Sequence, residues 1–324
     1  MKRPNILVVG SLVMDLIVIT TRFPKEGETV LGTDFHTASG GKGANQAVQA
    51  ARLGANVTFV GKVGNDSFGK EMLDSVSSMG VDISKIMVDQ EAPSSIGNVQ
   101  IETADGKSVN RIIVVPGANM RIRPEDVAFL QDTLGNYDMV ILQIEIPMEI
   151  NELVATYAFE KNVPVMLNPA PSAPLSRELL SHVTYISPNE HEAADITGIA
   201  IHGLDSANEC AKALMNMGAA NALITLGGNG AVLGSKNEFL HSPCVPNVQV
   251  ADPTAAGDSF VGTFCTGVCL GLSNIQALEF ANCAAAITVS KIGAQPSLPA
   301  IGEVIALMQK MGCNITGLEN LQKI

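Results

Sequence analysis

The chain is poor in aromatic and basic residues, and each shortage excludes a class of partner. Among 324 residues there is no tryptophan, and aromatic residues make up only 4%. Few rings are therefore available for stacking on a base. Acidic residues outnumber basic ones by 32 to 20, which gives a formal net charge of -12. Such a chain repels phosphate backbones and acidic membrane surfaces, so we expect neither nucleic acid nor membrane as a partner.

Long apolar runs and metal-binding spacings are also missing. No window reaches about 18 uninterrupted apolar residues, the length that a spanning helix needs. The N-terminal apolar stretch is interrupted by Asp15 and followed by Pro24, unlike a signal peptide, and we expect a cytoplasmic protein. The six cysteines form no CxxC pair, and the five histidines form no HxH or HExxH spacing. Buried apolar packing explains the cysteines better than a zinc site does.

What the chain does have is a 46% hydrophobic content and a repeated alternation of strand-like and helix-like segments. Short apolar runs at 5–10, 57–61, 139–145, 163–168 and 221–227 predict strands that are buried on both faces. Stretches at 44–54, 67–80 and 150–162 end on Gly or Asn and predict helices. The alternation predicts an α/β fold with a mostly parallel sheet. Such sheets place ligands beyond the carboxyl ends of their strands.

Residues 94–117 break this alternation. Two runs of alternating polarity flank ADGK, whose Asp-Gly pair suits a tight hairpin turn. With an N-terminal segment they predict a small antiparallel flap, with lid segments at roughly 12–37 and 94–117. The flap is either an ordinary surface hairpin or a lid that covers a small substrate and excludes water. Since no linker, low-complexity tract or repeat is present, we predict one domain over 1–324 that carries this lid.

Two glycine-rich motifs resemble nucleotide-binding loops but each lacks a required residue. GNDSFGKE (64–71) matches the GxxxxGK of a P-loop, but Glu71 stands where Ser or Thr would hold magnesium. We interpret it as a loop that opens a surface helix. In GGKGANQA (40–47), Gln46 stands where the dinucleotide fingerprint has its third glycine. Neither motif predicts its usual cofactor.

The second of these motifs still predicts a binding loop. Gly40, Gly41 and Gly43 let backbone amides approach a ligand closely, and Lys42 and Asn45 supply hydrogen-bond donors at the start of a helix. Such a loop can bind sugar hydroxyls or an anion. The alternative is a loop that only needs glycine dihedral angles.

The stretch AAGD (255–258) runs directly into an apolar, helix-like segment. Its first residues should present unpaired backbone N–H groups at the positive end of the helix dipole. One interpretation makes Asp258 an N-terminal capping carboxylate. The other is chemical, because phosphoryl transfer to an alcohol needs an anion nest and an adjacent carboxylate that accepts the hydroxyl proton.

Six ordered motifs together resemble the ribokinase family, within the PfkB group of carbohydrate kinases. They are GGKGANQAV (40–48), LNPAPS (167–172), PNEHEA (188–193), ITLGGNGA (224–231), AAGDSF (255–260) and GAQPS (293–297). The resemblance covers nearly the whole chain. It implies a three-layer sandwich with a mostly parallel central sheet and a small antiparallel β lid.

The resemblance also implies roles for individual residues. Asp258 matches the catalytic base that deprotonates the sugar's 5-hydroxyl, and Ala255, Ala256 and Gly257 match the anion hole. The positions that match furanose-binding residues are Asp15, Gly40, Gly41, Lys42, Asn45 and Glu145. Those on the ATP side are Asn189, Thr225, Gly227, Gly230 and Asn282, with Glu192 as the magnesium residue beside Asn189. An activating potassium ion is implied at Asp252, Thr254, Thr288, Lys291, Gly293 and Ser297, mostly through backbone carbonyls.

Two departures from the family pattern bear on function. The family's GSxNxD motif reads GSLVMD (10–15), so Val13 replaces an asparagine that donates to a sugar hydroxyl. A hydroxyl left without this partner costs roughly 1–3 kcal/mol, which favours a sugar that lacks it. Alternatively, Val13 only packs under the lid. Pro253 replaces a common threonine and removes one backbone N–H beside the implied potassium site, but its carbonyl survives, and we still expect activation by potassium.

The predicted function is ATP-dependent phosphorylation of the 5-hydroxyl of a pentofuranose, with D-ribose first and 2-deoxy-D-ribose as the alternative. A nucleoside kinase would need an apolar base pocket, for which the chain offers few aromatic residues. A non-catalytic sugar-binding protein would be expected to have lost Asp258. The resemblance further suggests a homodimer that pairs through the lid.

Overall fold

A computed structural model of the chain describes residues 3–104 and 107–318. Its strands are β1 (Asn5–Val9), β2 (Val13–Thr20), β3 (Asp34–Gly40), β4 (Asn56–Gly64), β5 (Val81–Asp89), β6 (Ile96–Ala104), β7 (Lys107–Val115), β8 (Met139–Gln143), β9 (Val165–Asn168), β10 (Tyr185–Ile186), β11 (Asn221–Thr225), β12 (Ala231–Gly234) and β13 (Phe239–Ser242). Its α-helices are α1 (Lys42–Arg52), α2 (Ser67–Ser78), α3 (Pro124–Val127), α4 (Leu130–Thr133), α5 (Met148–Glu160), α6 (Arg177–Ser181), α7 (Glu190–Thr197), α8 (Leu204–Met217), α9 (Ala256–Cys269), α10 (Asn274–Val289) and α11 (Ile301–Lys310). No helix in these ranges has both the length and the apolar character to cross a membrane.

Nine strands form the central sheet, in the order β13-β12-β11-β10-β9-β8-β1-β4-β5. All pairings from β5 to β11 are parallel, and β12 and β13 add antiparallel pairings at one edge. Because β1, β8, β9, β10 and β11 run the same way, their carboxyl ends meet at one edge of the sheet. The residues that follow these strands are therefore brought close together.

Helices cover both faces of the central sheet. Along β1, Leu7 and Val9 pack into one core cluster with residues of α4, α5 and α8, while Ile6 and Val8 pack into the other with residues of α1, α9 and α10. This division follows from the period of two along a strand. Helix α11 packs outside α10. The predicted α/β fold, a three-layer sandwich, is confirmed.

A second sheet has the strand order β3-β2-β6-β7. Its two outer pairings, β2 with β3 and β6 with β7, are antiparallel, and the central pairing of β2 with β6 is parallel. Strand β3 ends at Gly40, three residues beyond the first predicted lid segment of 12–37. The predicted tight turn in ADGK falls on residues 105 and 106, which lie outside the described residues. The division into one domain with this lid stays a prediction.

The P-loop-like stretch opens α2. The Asp66 side chain caps this helix by accepting a hydrogen bond from the Gly69 N–H at 2.8 Å, and it also accepts from the Ser94 N–H at 2.8 Å. A carboxylate thus occupies the helix end where a P-loop would hold phosphate. Through Asp66, the loop after β4 is hydrogen-bonded to Ser94, two residues before β6 begins.

Candidate active site

Two adjoining cavities lie at the carboxyl ends of the parallel strands. The smaller, of about 230 Å³, is bordered by Lys42, Glu192 and Asp258. The larger, of about 630 Å³, extends from it along α10. The residues that border both are Asn189, Thr225, Pro253, Ala256 and Gly257. The first turn of α9 therefore stands where the cavities join.

Asp258 lies in that first turn and is 7% exposed. Its Oδ2 accepts a hydrogen bond from Asn45 Nδ2 at 2.9 Å, and its Oδ1 accepts from Gln46 Nε2 at 3.0 Å. The residue at the cap position is Ala255, and α9 has no side-chain cap. The capping interpretation of Asp258 is therefore wrong: its carboxylate points across to α1.

The backbone at the start of α9 is arranged to receive an anion. Ala255 adopts a left-handed conformation with φ 60°, which is unfavourable for a residue with a Cβ. The Ala256 N–H donates a hydrogen bond to the Pro253 carbonyl at 3.3 Å. Within residues 3–104 and 107–318, the N–H groups of Gly257 and Asp258 have no hydrogen-bond acceptor. These N–H groups lie in the first turn, at the positive end of the helix dipole. The space beside Gly257 is open, since a Cβ there would meet no atom within 4 Å.

One lysine lies among the acidic groups of the smaller cavity. Burial lowers the pKa of Lys42, but the charges of Asp258, Glu145 and Glu192 outweigh burial and leave it raised. Burial raises the pKa of Asp258, and Lys42 and the two amide donors oppose this without cancelling it. Lys42 thus stays a cation, and Asp258 is a stronger base than an exposed aspartate.

Glu145, one of the residues predicted to bind the furanose, contacts the glycine-rich loop and the loop that follows β1. Its Oε2 accepts hydrogen bonds from the Ser11 hydroxyl and from the Lys42 N–H, the latter at 3.1 Å. Gly41 has φ 95°, and a Cβ there would lie 2.8 Å from the Val13 nitrogen. Only glycine lets the loop pass this close to the start of β2.

Asp15 and Val13 lie on β2 of the second sheet. Burial, and secondly the charge of Glu145, raise the pKa of Asp15 to about 6. Val13 is 6% exposed and pairs with Gly40 at the end of β3. The second sheet thus contributes one carboxylate and one apolar wall to the site.

Asn189 and Glu192 form the N-terminal capping box of α7. The Asn189 Oδ1 accepts from the Glu192 N–H at 2.9 Å, and the Glu192 Oε2 accepts from the Asn189 N–H at 2.8 Å. Burial raises the pKa of Glu192, against the opposing effects of its backbone hydrogen bond and Lys42. The described residues contain no cluster of three or more metal-binding side chains. A divalent ion here would have one carboxylate, and water and phosphate oxygens would complete its shell, as suits magnesium.

The predicted ATP-side residues border the larger cavity. Thr225, Gly227, Gly230 and Asn282 all line it, together with apolar residues such as Val245, Val250 and Val289. The Asn282 Nδ2 is held by the Ser242 carbonyl at 3.0 Å and the Ser242 Oγ at 2.8 Å. A Cβ on Gly230 would lie 2.1 Å from that carbonyl. Phe260 supplies the one phenyl ring among the described lining residues.

The six predicted potassium positions fall on two neighbouring segments, 252–254 and 288–297. The Asp252 carboxylate joins the segments by accepting from the Thr254 N–H and the Gly293 N–H, each at 2.9 Å. Burial raises the pKa of Asp252, but these hydrogen bonds outweigh it and lower the value. Three of the side chains bond elsewhere: Thr288 to Ser259 at 2.8 Å, Lys291 to Glu303 at 2.6 Å and Ser297 to the Ala294 carbonyl at 2.7 Å. The oxygen atoms that remain for a cation are the backbone carbonyls of these segments together with the Asp252 carboxylate and the Thr254 hydroxyl.

Sequence reasoning missed several residues of the site. Ser11, Gln46 and Asn168 lie inside the quoted motifs, but nothing in the motifs separated them from their neighbours. Gln143 and Gly97 carry no local signal, since their contacts are with residues far away in the chain. They became visible only as hydrogen-bond or close-packing partners.

Comparison with known proteins agrees with this geometry. The family model described as pfkB family carbohydrate kinase matches residues 3–301. The ribokinase of Bacillus subtilis is 40% identical over 304 residues, which is 94% of this chain and 99% of that protein. The ribokinase of Haemophilus influenzae is 37% identical over 95% of this chain and 99% of that protein. The structure of Arabidopsis thaliana ribokinase complexed with ribose and ATP superposes with a TM-score of 0.88, at 32% identity over 95% of this chain and 99% of that one.

Proposed function

The chain belongs to the pfkB family of carbohydrate kinases, and we propose that it transfers the γ-phosphoryl group of ATP to the 5-hydroxyl of D-ribose. It is an ATP-dependent sugar kinase. Support for ribose comes from relatives named ribokinase at full length and from the ribose and ATP bound in the plant structure. One observation carries the proposal: a buried carboxylate, Asp258, stands beside free helix N–H groups where two cavities join.

In the proposed mechanism, the smaller cavity and the second sheet hold the sugar, and the larger cavity holds the nucleotide. Asp258 accepts the proton of the sugar's 5-hydroxyl while the oxygen of that hydroxyl forms a bond to the γ-phosphorus. The bond between the γ-phosphorus and the β–γ bridging oxygen breaks at the same time, and ADP is released. The N–H groups of Gly257 and Asp258 stabilise the charge on the transferring group. Lys42 adds a positive charge on the same side.

Magnesium and potassium belong to this proposal. Glu192 would hold magnesium with Asn189 beside it, and the ion would neutralise phosphate charge when bound. The carbonyls of 252–254 and 288–297 would hold potassium next to the start of α9, where its field reaches the anion nest. The remaining predicted residues keep the same roles: Asp15, Gly40, Gly41, Asn45 and Glu145 for the sugar, and Thr225, Gly227, Gly230 and Asn282 for the nucleotide.

Val13 supports 2-deoxy-D-ribose as a second candidate substrate. The side chain is buried, lies two residues from Asp15, and its Cγ1 would be 3.7 Å from a Cβ on Gly97. An apolar group at this position offers no partner to a hydroxyl, so a sugar without that hydroxyl loses nothing there.

We further propose that the protein is a cytoplasmic homodimer joined through the second sheet. β7 is an edge strand of that sheet. Its side chains Val109, Ile112, Ile113, Val114 and Val115 are 45–64% exposed. Such a row of apolar residues on an open edge is suited to pairing with a second copy.

The deciding experiment measures initial phosphorylation rates with ATP, magnesium and potassium against ribose, 2-deoxyribose, fructose and adenosine, as kcat/KM. A lead for ribose supports the proposal, and a lead for 2-deoxyribose transfers it to the second candidate. Adenosine as the best acceptor would identify a nucleoside kinase. No turnover with any of the four would overturn the pentose-kinase function.

A further inference from the structure

Gln46 is completely buried in α1, and all its side-chain polar atoms are hydrogen-bonded. Its Nε2 donates to Asp258 Oδ1 at 3.0 Å and to Asn168 Oδ1 at 3.1 Å. Its Oε1 accepts from Gln143 Nε2 at 2.7 Å. Gln46 therefore connects the end of β8, the end of β9 and the first turn of α9 through one amide group.

These partners permit a single orientation of the amide. An ionised Asp258 only accepts hydrogen bonds, so the NH₂ end of Gln46 must face it. The NH₂ of Gln143 meets the other end, and the backbone carbonyl of Gln143 accepts from Asn151 Nδ2 at 3.1 Å, which holds the end of β8 in place. A reversed Gln46 amide would place its oxygen against the Asp258 carboxylate.

The packing of α1 on α9 brings Gln46 within reach. Gly262 follows Asp258 by four residues, so the two lie on the same face of α9. A Cβ on Gly262 would lie 2.8 Å from the Gln46 carbonyl oxygen and 3.0 Å from the Gln49 Cβ. The two helices can approach this closely only where α9 has no side chain.

Gln46 differs from Asn45, the other donor to Asp258. The Asn45 Oδ1 is buried and has no partner among the described residues, and Asn45 belongs to the sugar-binding loop. The Gln46 side chain is completely buried, and both ends of its amide are already hydrogen-bonded to protein groups, so it offers no atom to a ligand. A change at Gln46 can thus alter Asp258 without removing a ligand contact.

We propose that Gln46 is a positioning residue, whose amide holds the Asp258 carboxylate in the orientation that accepts the sugar proton. This inference rests on the proposed function. Without the Gln46 donor, only the Asn45 amide holds the carboxylate, so its orientation is less restricted and the charged form loses one of two side-chain hydrogen bonds. Turnover should fall while the binding of sugar and ATP is kept.

The test compares Gln46→Met with Gln49→Met. Gln49 is also fully buried, one turn further along α1, and bonds to the Pro299 carbonyl and the Ser259 hydroxyl, each at 3.2 Å, but not to Asp258. Each variant loses a buried amide of the same size; Gln46→Met leaves three buried partners unsatisfied and Gln49→Met two, so both should lose thermal stability, Gln46→Met somewhat more. For Gln46→Met we expect kcat to fall at least ~10-fold, part of the ~10² to 10⁴ that a general base supplies, with KM unchanged.

The pH profile distinguishes positioning from a merely structural effect. The acid limb of kcat should move to higher pH by about one unit in Gln46→Met and remain in place in Gln49→Met. Gln46→Glu is nearly isosteric and tests the idea if the methionine variant does not fold. It keeps an acceptor for Gln143 but sets a carboxylate against Asp258, so its acid limb should move further.

The inference would be overturned if the acid limb of kcat in both Gln46 variants lay at the same pH as in wild type and in Gln49→Met. Suppose that these limbs coincide while wild type phosphorylates ribose and Asp258→Asn does not. The positioning role of Gln46 is then excluded, and the proposed function stands. Absence of ribose phosphorylation by the wild type would overturn the proposed function, and this inference with it.

Discussion

Gly97 lies against the carboxylate of Asp15: a Cβ on Gly97 would be 2.2 Å from Asp15 Oδ1. The two residues are register partners on adjacent parallel strands of the second sheet, β6 and β2. On the other side, a Cβ on Gly40 would lie 3.2 Å from Asp15 Oδ2. Asp15 thus stands in a slot between two glycines, and its position depends on their having no side chains.

Gly97→Ala should weaken sugar binding by displacing Asp15. The methyl group cannot coexist with the present carboxylate position, and loss of hydrogen bonds from a charged group costs roughly 1–3 kcal/mol. We expect KM for the sugar to rise ~10- to 10²-fold, with KM for ATP unchanged. Gly135→Ala is the matched control, because a Cβ there meets no atom within 4 Å. Equal sugar affinity in the two variants would show that the position of Asp15 does not depend on the absence of a side chain at Gly97.

Asp15 should make sugar affinity and stability respond to pH. Its pKa is raised, by burial first and by the charge of Glu145 second, to about 6 from 3.8. The ionised form, which we propose accepts hydrogen bonds from the sugar hydroxyls, is lost as pH falls through 6, and KM for the sugar should rise there. The folded state binds this proton more tightly than the unfolded state. The contribution of the Asp15 carboxyl to the free energy of unfolding is therefore fully present below pH 3.8 and is lost as pH rises through about 6.

It follows that Asp15→Asn should be more stable than wild type at pH 7, by about 1–3 kcal/mol, and bind sugar poorly. Chemical denaturation of both proteins at pH 4 and pH 7 measures the difference, which should shrink at the lower pH. A difference that grows at pH 4 would show that Asp15 is not destabilised by burial of its charge.

Asp258→Asn should retain the fold but lose turnover. The amide is isosteric with the carboxylate but cannot take the hydroxyl proton, so kcat should fall ~10² to 10⁴-fold. Calorimetric binding of sugar and ATP should persist, and Asp132→Asn, a change at an exposed aspartate of α4, should leave kcat unaltered. Near-native turnover in Asp258→Asn would exclude Asp258 as the base.

Val13→Asn should raise the preference for ribose over 2-deoxyribose. The new amide can donate to the hydroxyl that distinguishes the two sugars, so the ratio of their kcat/KM values should change ~10- to 10²-fold. Val18→Asn on the same strand, where the residue pairs with Phe35 instead of Gly40, controls for a polar change in β2. An unchanged ratio would mean that Val13 only packs.

Ile113→Lys should disrupt the proposed dimer. The residue is 64% exposed on β7, and a charge in a paired apolar edge remains without a partner. Light scattering during size exclusion should show a dimer for wild type and a monomer for the variant. Leu204→Lys, at the start of α8 and 42% exposed, should stay dimeric. A wild type that elutes as a monomer would exclude the dimer altogether.

The sequence predicted more of the fold than of the site's internal contacts. Apolar runs and glycine-ended helices indicated the central sheet because these signals are local. The predicted run at 139–145 forms β8 over Met139–Gln143, two residues shorter at its end, and the run at 163–168 forms β9 over Val165–Asn168, two residues shorter at its start. AAGD indicated the anion nest, but its two interpretations of Asp258 could not be separated without the partners on α1.

By itself, the sequence determined the α/β class, the ordered motifs and the residues at the strand ends, because backbone conformation and apolar periodicity act over a few neighbouring positions. Only the tertiary structure decided that Asp258 bonds to Asn45 and Gln46, more than 200 positions earlier, and that Gly97 makes room for Asp15. These contacts depend on how closely separate elements approach. That distance is set by the packing of whole helices and strands, which no short stretch of sequence encodes.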